Sequence, residues 1–259
     1  VEEKQMGIEA FSLKGKHVVV VGASSGLGRA TAVACAECGA NVSLCARRED
    51  KLKEVLETLS DGDHGYSVLD VTNISSIDKG FDCLVQERGP INGMVYAAGI
   101  SSVLPLSVTT EKFYDKTMDT NLKGALFCSK AALKNTRTAK NGSSIVFFSS
   151  INSYNTIGKG MVVYSSSKAG VNGLMRALAL DISSMKHRSN ALIIGSIKTD
   201  IWNRDMIADE QSKKYIDKSL IGPGEVDDVA YACIYLLSDA SKWVTGAALL
   251  VDGGNTLVE

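Results

Sequence analysis

The sequence predicts an α/β fold in which a parallel sheet is covered by helices on both faces, a doubly wound arrangement. Three observations carry that prediction. Residues 18–21 are an unbroken run of valines, and a strand buried on both faces reads as such a run, not as an alternation of apolar and polar positions. The run ends in three closely spaced glycines, Gly22, Gly26 and Gly28, followed by a stretch of small residues from Arg29 to Ala36 that suits a tightly packed helix. Short apolar runs and helical stripes then alternate along the rest of the chain, the pattern of parallel strands joined by crossover helices.

Taken in order, the first strand is predicted at 17–21 and its helix at 26–38. Residues 41–46 form the second strand. In 48–60, Leu52, Val55, Leu56 and Leu59 fall at i, i+3, i+4 and i+7, an amphipathic helix. The third strand is 65–70, and Ile74, Ile77, Phe81, Leu84 and Val85 make the next helical stripe, closed by Gly89 and Pro90. The fourth strand is 92–97, two helices fit between Thr110 and Arg137, and the fifth strand is 144–148. A long helix covers 162–186, the sixth strand 190–194, a further helix 225–237 and the last strand 247–251. No repeat, low-complexity tract or linker interrupts the pattern, so 15–259 reads as one domain after an extension at 1–14.

The composition narrows the function. With 28 basic and 29 acidic residues the net charge is −1, which gives no electrostatic case for nucleic acid or a membrane surface. The apolar runs fall far short of the roughly 18 residues that span a bilayer, and the acidic N-terminus does not read as a signal peptide. The six cysteines, at 35, 38, 45, 83, 128 and 233, read as reduced core residues of a cytoplasmic protein. Cys35 and Cys38 lie among alanines, and His17, His64 and His187 are far apart, so no metal site is expected.

Ligands of such sheets bind beyond the carboxyl ends of the strands, where strand order reverses. The loops after strands one, four, five and six therefore surround one expected cleft. Glycines let the first loop take positive φ and let a ligand approach the backbone, and the helix that follows offers free N–H groups to a phosphate. Gly22, Gly26 and Gly28, with Ser24, Ser25 and Leu27 between them, thus point to a dinucleotide. Tyr164 and Lys168, at i and i+4, share one helical face. A free phenol titrates near about 10, and a neighbouring ammonium favours the phenolate, so Tyr164 can give a proton to a carbonyl oxygen or take one from an alcohol. Ser150, closing the fifth strand, can bond the same substrate oxygen, and the amide of Asn121 can hold a water that relays a proton to Lys168.

These motifs together resemble the single-domain short-chain dehydrogenase/reductases. The resemblance rests on the G-x-x-x-G-x-G at 22–28, Leu69-Asp70-Val71, Asn121, Ser150, Tyr164, Lys168, IKTD at 197–200, GEVDDVA at 224–230 and VDGG at 251–254, in the family's order from residue 16 onward. It implies a seven-stranded Rossmann sheet and a tetrad of Asn121, Ser150, Tyr164 and Lys168. In that tetrad serine orients the substrate, tyrosine is the acid–base, lysine lowers its pKa and holds the ribose, and asparagine anchors the water relay. It also places Asp70 and Val71 beside the adenine, Ala98 and Gly99 along the ribose, and Ile197 and Thr199 near the nicotinamide. A homodimer or homotetramer built through the long helices and last strand is likewise implied. The chain departs from the family pattern at Val21, at Tyr96-Ala97 in place of two asparagines, at Ile194 in place of proline, and by one extra residue between Ser150 and Tyr164.

An acid at the end of strand two binds the ribose of NAD, and an arginine there accommodates the 2′-phosphate of NADP. The chain reads Cys45-Ala46-Arg47-Arg48, which predicts NADP(H) on Arg47 and Arg48 with help from Ser24 or Ser25. The expected reaction is reduction of a ketone or 3-oxoacyl group to a secondary alcohol. Substrate walls are expected at 101–109, 150–160 and 196–220, the last a lid carrying Trp202, Met206, Ile207 and Tyr215. Lys123, Lys130, Lys134 and Arg137, spaced to share a helical face, hint at an acidic acyl carrier protein as partner. The alternatives are a sugar or polyol dehydrogenase of the same family and a weakly catalytic NADP(H)-binding sensor or scaffold.

Overall fold

The structure, a computed structural model, describes residues 8–101, 103–155, 158–199 and 219–258. The predicted lid residues Trp202, Met206, Ile207 and Tyr215 lie outside the described residues. The strands are β1 (His17–Val21), β2 (Asn41–Ala46), β3 (Gly65–Val68), β4 (Ile91–Tyr96), β5 (Ser144–Ser150), β6 (Arg188–Ile194) and β7 (Ala248–Val251). They form one seven-stranded sheet in the order β3-β2-β1-β4-β5-β6-β7, and every pair is parallel. The helices are α1 (Gly26–Glu37), α2 (Glu49–Leu56), α3 (Ile74–Arg88), α4 (Glu111–Met118), α5 (Gly124–Ala132), α6 (Val162–Asp181) and α7 (Val226–Leu237). This is the parallel α/β sheet that the apolar runs predict.

The central strands β1 and β5 are buried along their whole length, whereas the edge strand β7 is not. On one face of the sheet the small side chains of α1, among them Ala32, Cys35 and Ala36, pack in one core with Val229, Cys233 and Leu236 of α7. On the other face Phe81 and Leu84 of α3, Cys128 and Ala132 of α5, and Val171 and Met175 of α6 fill a second core. Each large apolar side chain removed from water in this way contributes roughly 1.5–3 kcal/mol. Leu13 is fully buried in the first core and its N–H bonds the Cys38 carbonyl, so packing begins ahead of β1. Among the described residues no helix is long and apolar enough to cross a membrane.

Several details depart from expectation. β5 runs on through Ser149 and Ser150, which pair with Ile193 and Ile194 of β6; the backbone ladder continues although the side chains turn polar. The two helices expected between Thr110 and Arg137 are α4 and α5, joined without a break by a π-helical turn, Asp119–Lys123. Cys83 is exposed, and not in the core, because the apolar stripe of α3 leaves it on the outer side; all six thiols are free.

The basic stripe does not form. α5 ends at Ala132, and Arg137 lies in the turn beyond it, buried to 1% exposure. Its Nη1 donates to Asp78 at 2.6 Å and to the Ala131 carbonyl at 3.1 Å, and its Nε donates to Asp82 at 2.7 Å. A guanidinium taken out of water needs these partners. Lys123 is paired with Asp119 on its own turn, which leaves Lys130 and Lys134 exposed.

Candidate active site

Because β1 lies between β2 and β4, the chains leaving β1 and β4 diverge and open a crevice at their carboxyl ends. The glycines shape its floor. Gly22 has φ +93°, and a Cβ there would sit 2.5 Å from the Ala98 nitrogen, so the loops after β1 and β4 touch. A Cβ on Gly28 would run into the Gly22 carbonyl, so α1 starts directly beneath the loop. At Gly26, φ +54°, the Cβ direction is open space. The Ser25 side chain makes no cap bond to the first turn of α1, so it does not occupy the N–H groups of that turn. A cradle closed below, open outward and ending on a helix N-terminus fits a dinucleotide phosphate.

Beside the cradle, the exposed Arg48 reaches back across the loop. Its Nη2 donates to Ser24 Oγ at 3.0 Å and to Ser25 Oγ at 3.2 Å. Arg47 is also exposed, but it is Arg48 that spans the loop. The nearest carboxylate in sequence, Glu49, is engaged elsewhere, accepting from Lys53 at 2.9 Å and from the Tyr66 hydroxyl at 3.0 Å. Those two bonds hold it below the usual carboxylate range. Leu27 is partly buried against the core, with its carbonyl bonded by Thr31.

The opposite wall brings together residues 121, 150, 164 and 168. Ser150, at the end of β5, hydrogen-bonds the Tyr164 phenol, and its Oγ accepts from the Asn152 N–H at 3.2 Å. The Ser150 hydroxyl proton is therefore free to be aimed at the phenol, and the longer connection does not keep the two apart. Lys168, one turn along α6, lies 5.9 Å from the Tyr164 ring centroid, and its Nζ donates to the Phe148 carbonyl at 2.8 Å. Asn121 is fully buried in the π turn. Its Oδ1 accepts from the Ile100 N–H at 2.8 Å, and its Nδ2 donates to the Ile100 carbonyl at 3.0 Å and to Ser167 Oγ at 2.9 Å. A Cβ on Gly99 would lie 3.3 Å from Lys168 Nζ and 3.4 Å from Asn121 Oδ1, so Gly99 stands between them.

Burial sets the charges here. It pushes Lys168 down to about 8. It pushes the Tyr164 phenol up, opposed by the bond from Ser150. In the protein alone the phenol is thus less acidic than a free tyrosine, the reverse of the lowering expected from Lys168: at this distance the ammonium does not outweigh desolvation.

The remaining predicted residues fall around the same crevice. Asp70 closes a turn, its Oδ1 accepting from the Thr72 N–H and hydroxyl, and Val71 is buried against Gly124. Ile197 turns its side chain into the core against Gly224, and Thr199 is partly exposed. Ser167 was not anticipated. It is fully buried, takes the Asn121 amide proton and donates to the Tyr164 carbonyl at 2.7 Å. Its place three residues after the tyrosine and next to the lysine is the signal that marks it.

Comparison with known proteins agrees with this fold. The family model described as "Enoyl-(Acyl carrier protein) reductase" matches residues 22–256. The chain is 34% identical over 247 residues to L-rhamnose 1-dehydrogenase (NAD(P)(+)) of Azotobacter vinelandii, covering 92% of this chain and 96% of that one. It is 35% identical over 243 residues to 3-oxoacyl-[acyl-carrier-protein] reductase of Homo sapiens, covering 94% and 99%. A solved short-chain type dehydrogenase/reductase from Mycobacterium ulcerans superposes with a TM-score of 0.88 at 31% identity, over 96% of this chain and 92% of that one. With its parallel sheet, its glycine loop at the switch point and matches of this extent, the chain belongs to the short-chain dehydrogenase/reductase family of oxidoreductases, which work with a nicotinamide cofactor.

Proposed function

We propose that the protein reduces a carbonyl to a secondary alcohol with NADP(H), reversibly. One observation carries the reading: Ser150, Tyr164 and Lys168 converge on the crevice whose floor is the glycine cradle. Bound NADP(H) supplies or accepts the hydride. The backbone of Gly22, Gly26, Leu27 and Gly28 with Ser24 and Ser25 holds the pyrophosphate, Asp70 and Val71 flank the adenine, and Ala98 and Gly99 line the ribose. Ile197 and Thr199 would lie near the nicotinamide end. Tyr164 gives its proton to the carbonyl oxygen as the carbon is reduced, and takes it back in alcohol oxidation. Ser150 bonds the same oxygen and fixes its direction. Lys168 holds the ribose and returns a proton to the phenol, and Asn121 anchors the water through which that proton comes.

Arg48, with the exposed Arg47 beside it, supports NADP(H) over NAD(H): its guanidinium reaches across the glycine loop to Ser24 and Ser25, and Glu49, the nearest carboxylate in sequence, is engaged by Lys53 and Tyr66. A charged hydrogen bond is worth about 1.5–3 kcal/mol, so Arg48→Ala lowers the preference for NADPH over NADH, measured as the ratio of kcat/KM values, by about 10- to 100-fold. Loss of NADPH absorbance with a panel of ketones and β-ketoacyl thioesters tests the reaction. Tyr164→Phe reduces turnover about 100- to 10,000-fold, the range of a lost general acid; undiminished turnover overturns the reading. A sugar dehydrogenase is the second reading, favoured by the likeness to L-rhamnose 1-dehydrogenase, and NADP⁺ reduction by aldoses in the reverse assay decides for it. A carrier protein as partner retains only Lys130 and Lys134 in support, so charge reversal at both should raise KM for the carrier-bound substrate. The likeness of the chain to its family also supports self-association through the long helices and β7.

A further inference from the structure

The family position at the end of β4 is held here by Tyr96, and its surroundings give it a task of its own. Tyr96 is buried to 2% exposure, and its hydroxyl donates to the Thr120 carbonyl at 2.6 Å. Thr120 lies in the π turn, next to Asn121. In a regular α-helix the Thr120 carbonyl would receive the N–H of Gly124. Here the Gly124 N–H goes to Asp119, five residues back, and the Tyr96 hydroxyl bonds the carbonyl thus passed over. Gly124 is matched to this arrangement: a Cβ there would run into the Tyr96 hydroxyl and lie 2.9 Å from Val71 Cβ. Burial keeps the phenol protonated, and so a donor, at every ordinary pH.

We propose that Tyr96 is a positioning residue: its hydroxyl, laid over Gly124 onto Thr120, holds the π turn open and so seats Asn121 between Ile100 and Ser167. The turn holds one residue more than an α-helical turn, and π bulges of this kind are frequent at functional sites. From there the contact runs on through Ser167 to the Tyr164 carbonyl. The end of β4 is thereby tied to the helix that carries the acid–base, by a hydroxyl in a strand position where the family pattern has an amide. The kinetic part of this inference rests on the roles proposed above for Asn121 and Lys168; the structural part does not.

The experiment compares the wild type with Tyr96→Phe, which keeps the ring and removes the hydroxyl. In ¹⁵N-labelled protein the side-chain amide resonances of Asn121 shift, while those of Asn190, which bonds Val244 at the far side of the sheet, stay in place. In turnover kcat falls about tenfold, the size of one hydrogen bond, the KM for NADPH is unchanged, and the pH profile of kcat moves. A merely structural role would lower the melting temperature and leave that profile where it was. Gly124→Ala displaces the same hydroxyl and shifts the same Asn121 resonances, and combined with Tyr96→Phe the two losses do not multiply. If the Asn121 amide moves no more than that of Asn190, the brace is overturned, whatever the kinetics. If the amide shifts but kcat and its profile equal the wild type, the catalytic consequence is overturned. A wild type that turns over no carbonyl or alcohol overturns the proposed function, and the resonance shift still decides the brace.

Discussion

Lys168 is a buried lysine whose ammonium donates to the Phe148 carbonyl, and its removal from water is what lowers its pKa to about 8. Two outcomes follow at the scale of this residue. The kcat/KM for NADPH reports the free enzyme, so it should fall as pH rises through about 8, where Lys168 loses its charge. Stability moves the other way. Between about 8 and the ordinary lysine value of 10.5 the unfolded chain keeps a proton that the folded chain has released, so folding is favoured as pH rises across that window and the gain is lost on returning below 8. Lys168→Met, which has nothing to titrate, should flatten both curves; melting curves and initial rates from pH 7 to 10 check this.

At the scale of elements, the parts that the chain announces are those whose pattern repeats. β1 is legible because every side chain on it is buried, and α3 because Ile77, Phe81 and Leu84 return to one face. The glycine loop, Ser150, Tyr164 and Lys168 are legible because the chemistry proposed for them requires a given residue type at a given spacing. The π turn is not, since one extra residue in one turn disturbs a helical period too little to see. Spacing alone puts Arg137 on a helix face by extending a period beyond Ala132, where the helix has already stopped; a buried guanidinium with two aspartates one turn apart on α3 is a tertiary arrangement that no local pattern reveals. The end of α6 carries a further mark of this kind. After the short turn Ser183–Met185, Lys186 takes φ +59°, the one non-glycine residue with positive φ among the described residues. That left-handed backbone costs an L-residue with a Cβ about 1–2 kcal/mol, part of which glycine forfeits in chain entropy. Lys186→Gly should therefore raise the melting temperature by about 2 °C with kcat unaltered, and a lowered melting temperature would show that the lysine side chain itself holds the turn.

Across the whole molecule, the crevice and the acid-sensitive groups lie at opposite ends of the sheet. Two cavities of about 350 and 550 Å³ share Asn92 and Asn141 at the amino ends of the strands, and His17 and His187 line them. His17 donates through Nδ1 to the Gly89 carbonyl and accepts from the Ser43 hydroxyl at Nε2, both at 2.8 Å. His187 accepts the Ser143 N–H at Nδ1. Each is neutral in this arrangement, and burial holds both below the ordinary value of 6.5. The unfolded chain therefore takes up protons first as pH falls below 6.5, and stability present at neutral pH is lost on acidification. Melting temperatures should decline from pH 7 to pH 5, less steeply in His187→Gln, and a flat profile would exclude the two histidines as the cause.

The contact of Gly22 with Ala98 has a consequence for how a nucleotide is received. Two loops from neighbouring strands are propped on each other by bare backbone, so neither can shift without the other. An incoming dinucleotide meets a seat that already has its shape, and little of its affinity is spent on ordering that seat. A methyl group at position 22 would wedge the pair apart, and the damage would appear as a weaker grip on the nucleotide even though the side chain that caused it touches no part of the ligand.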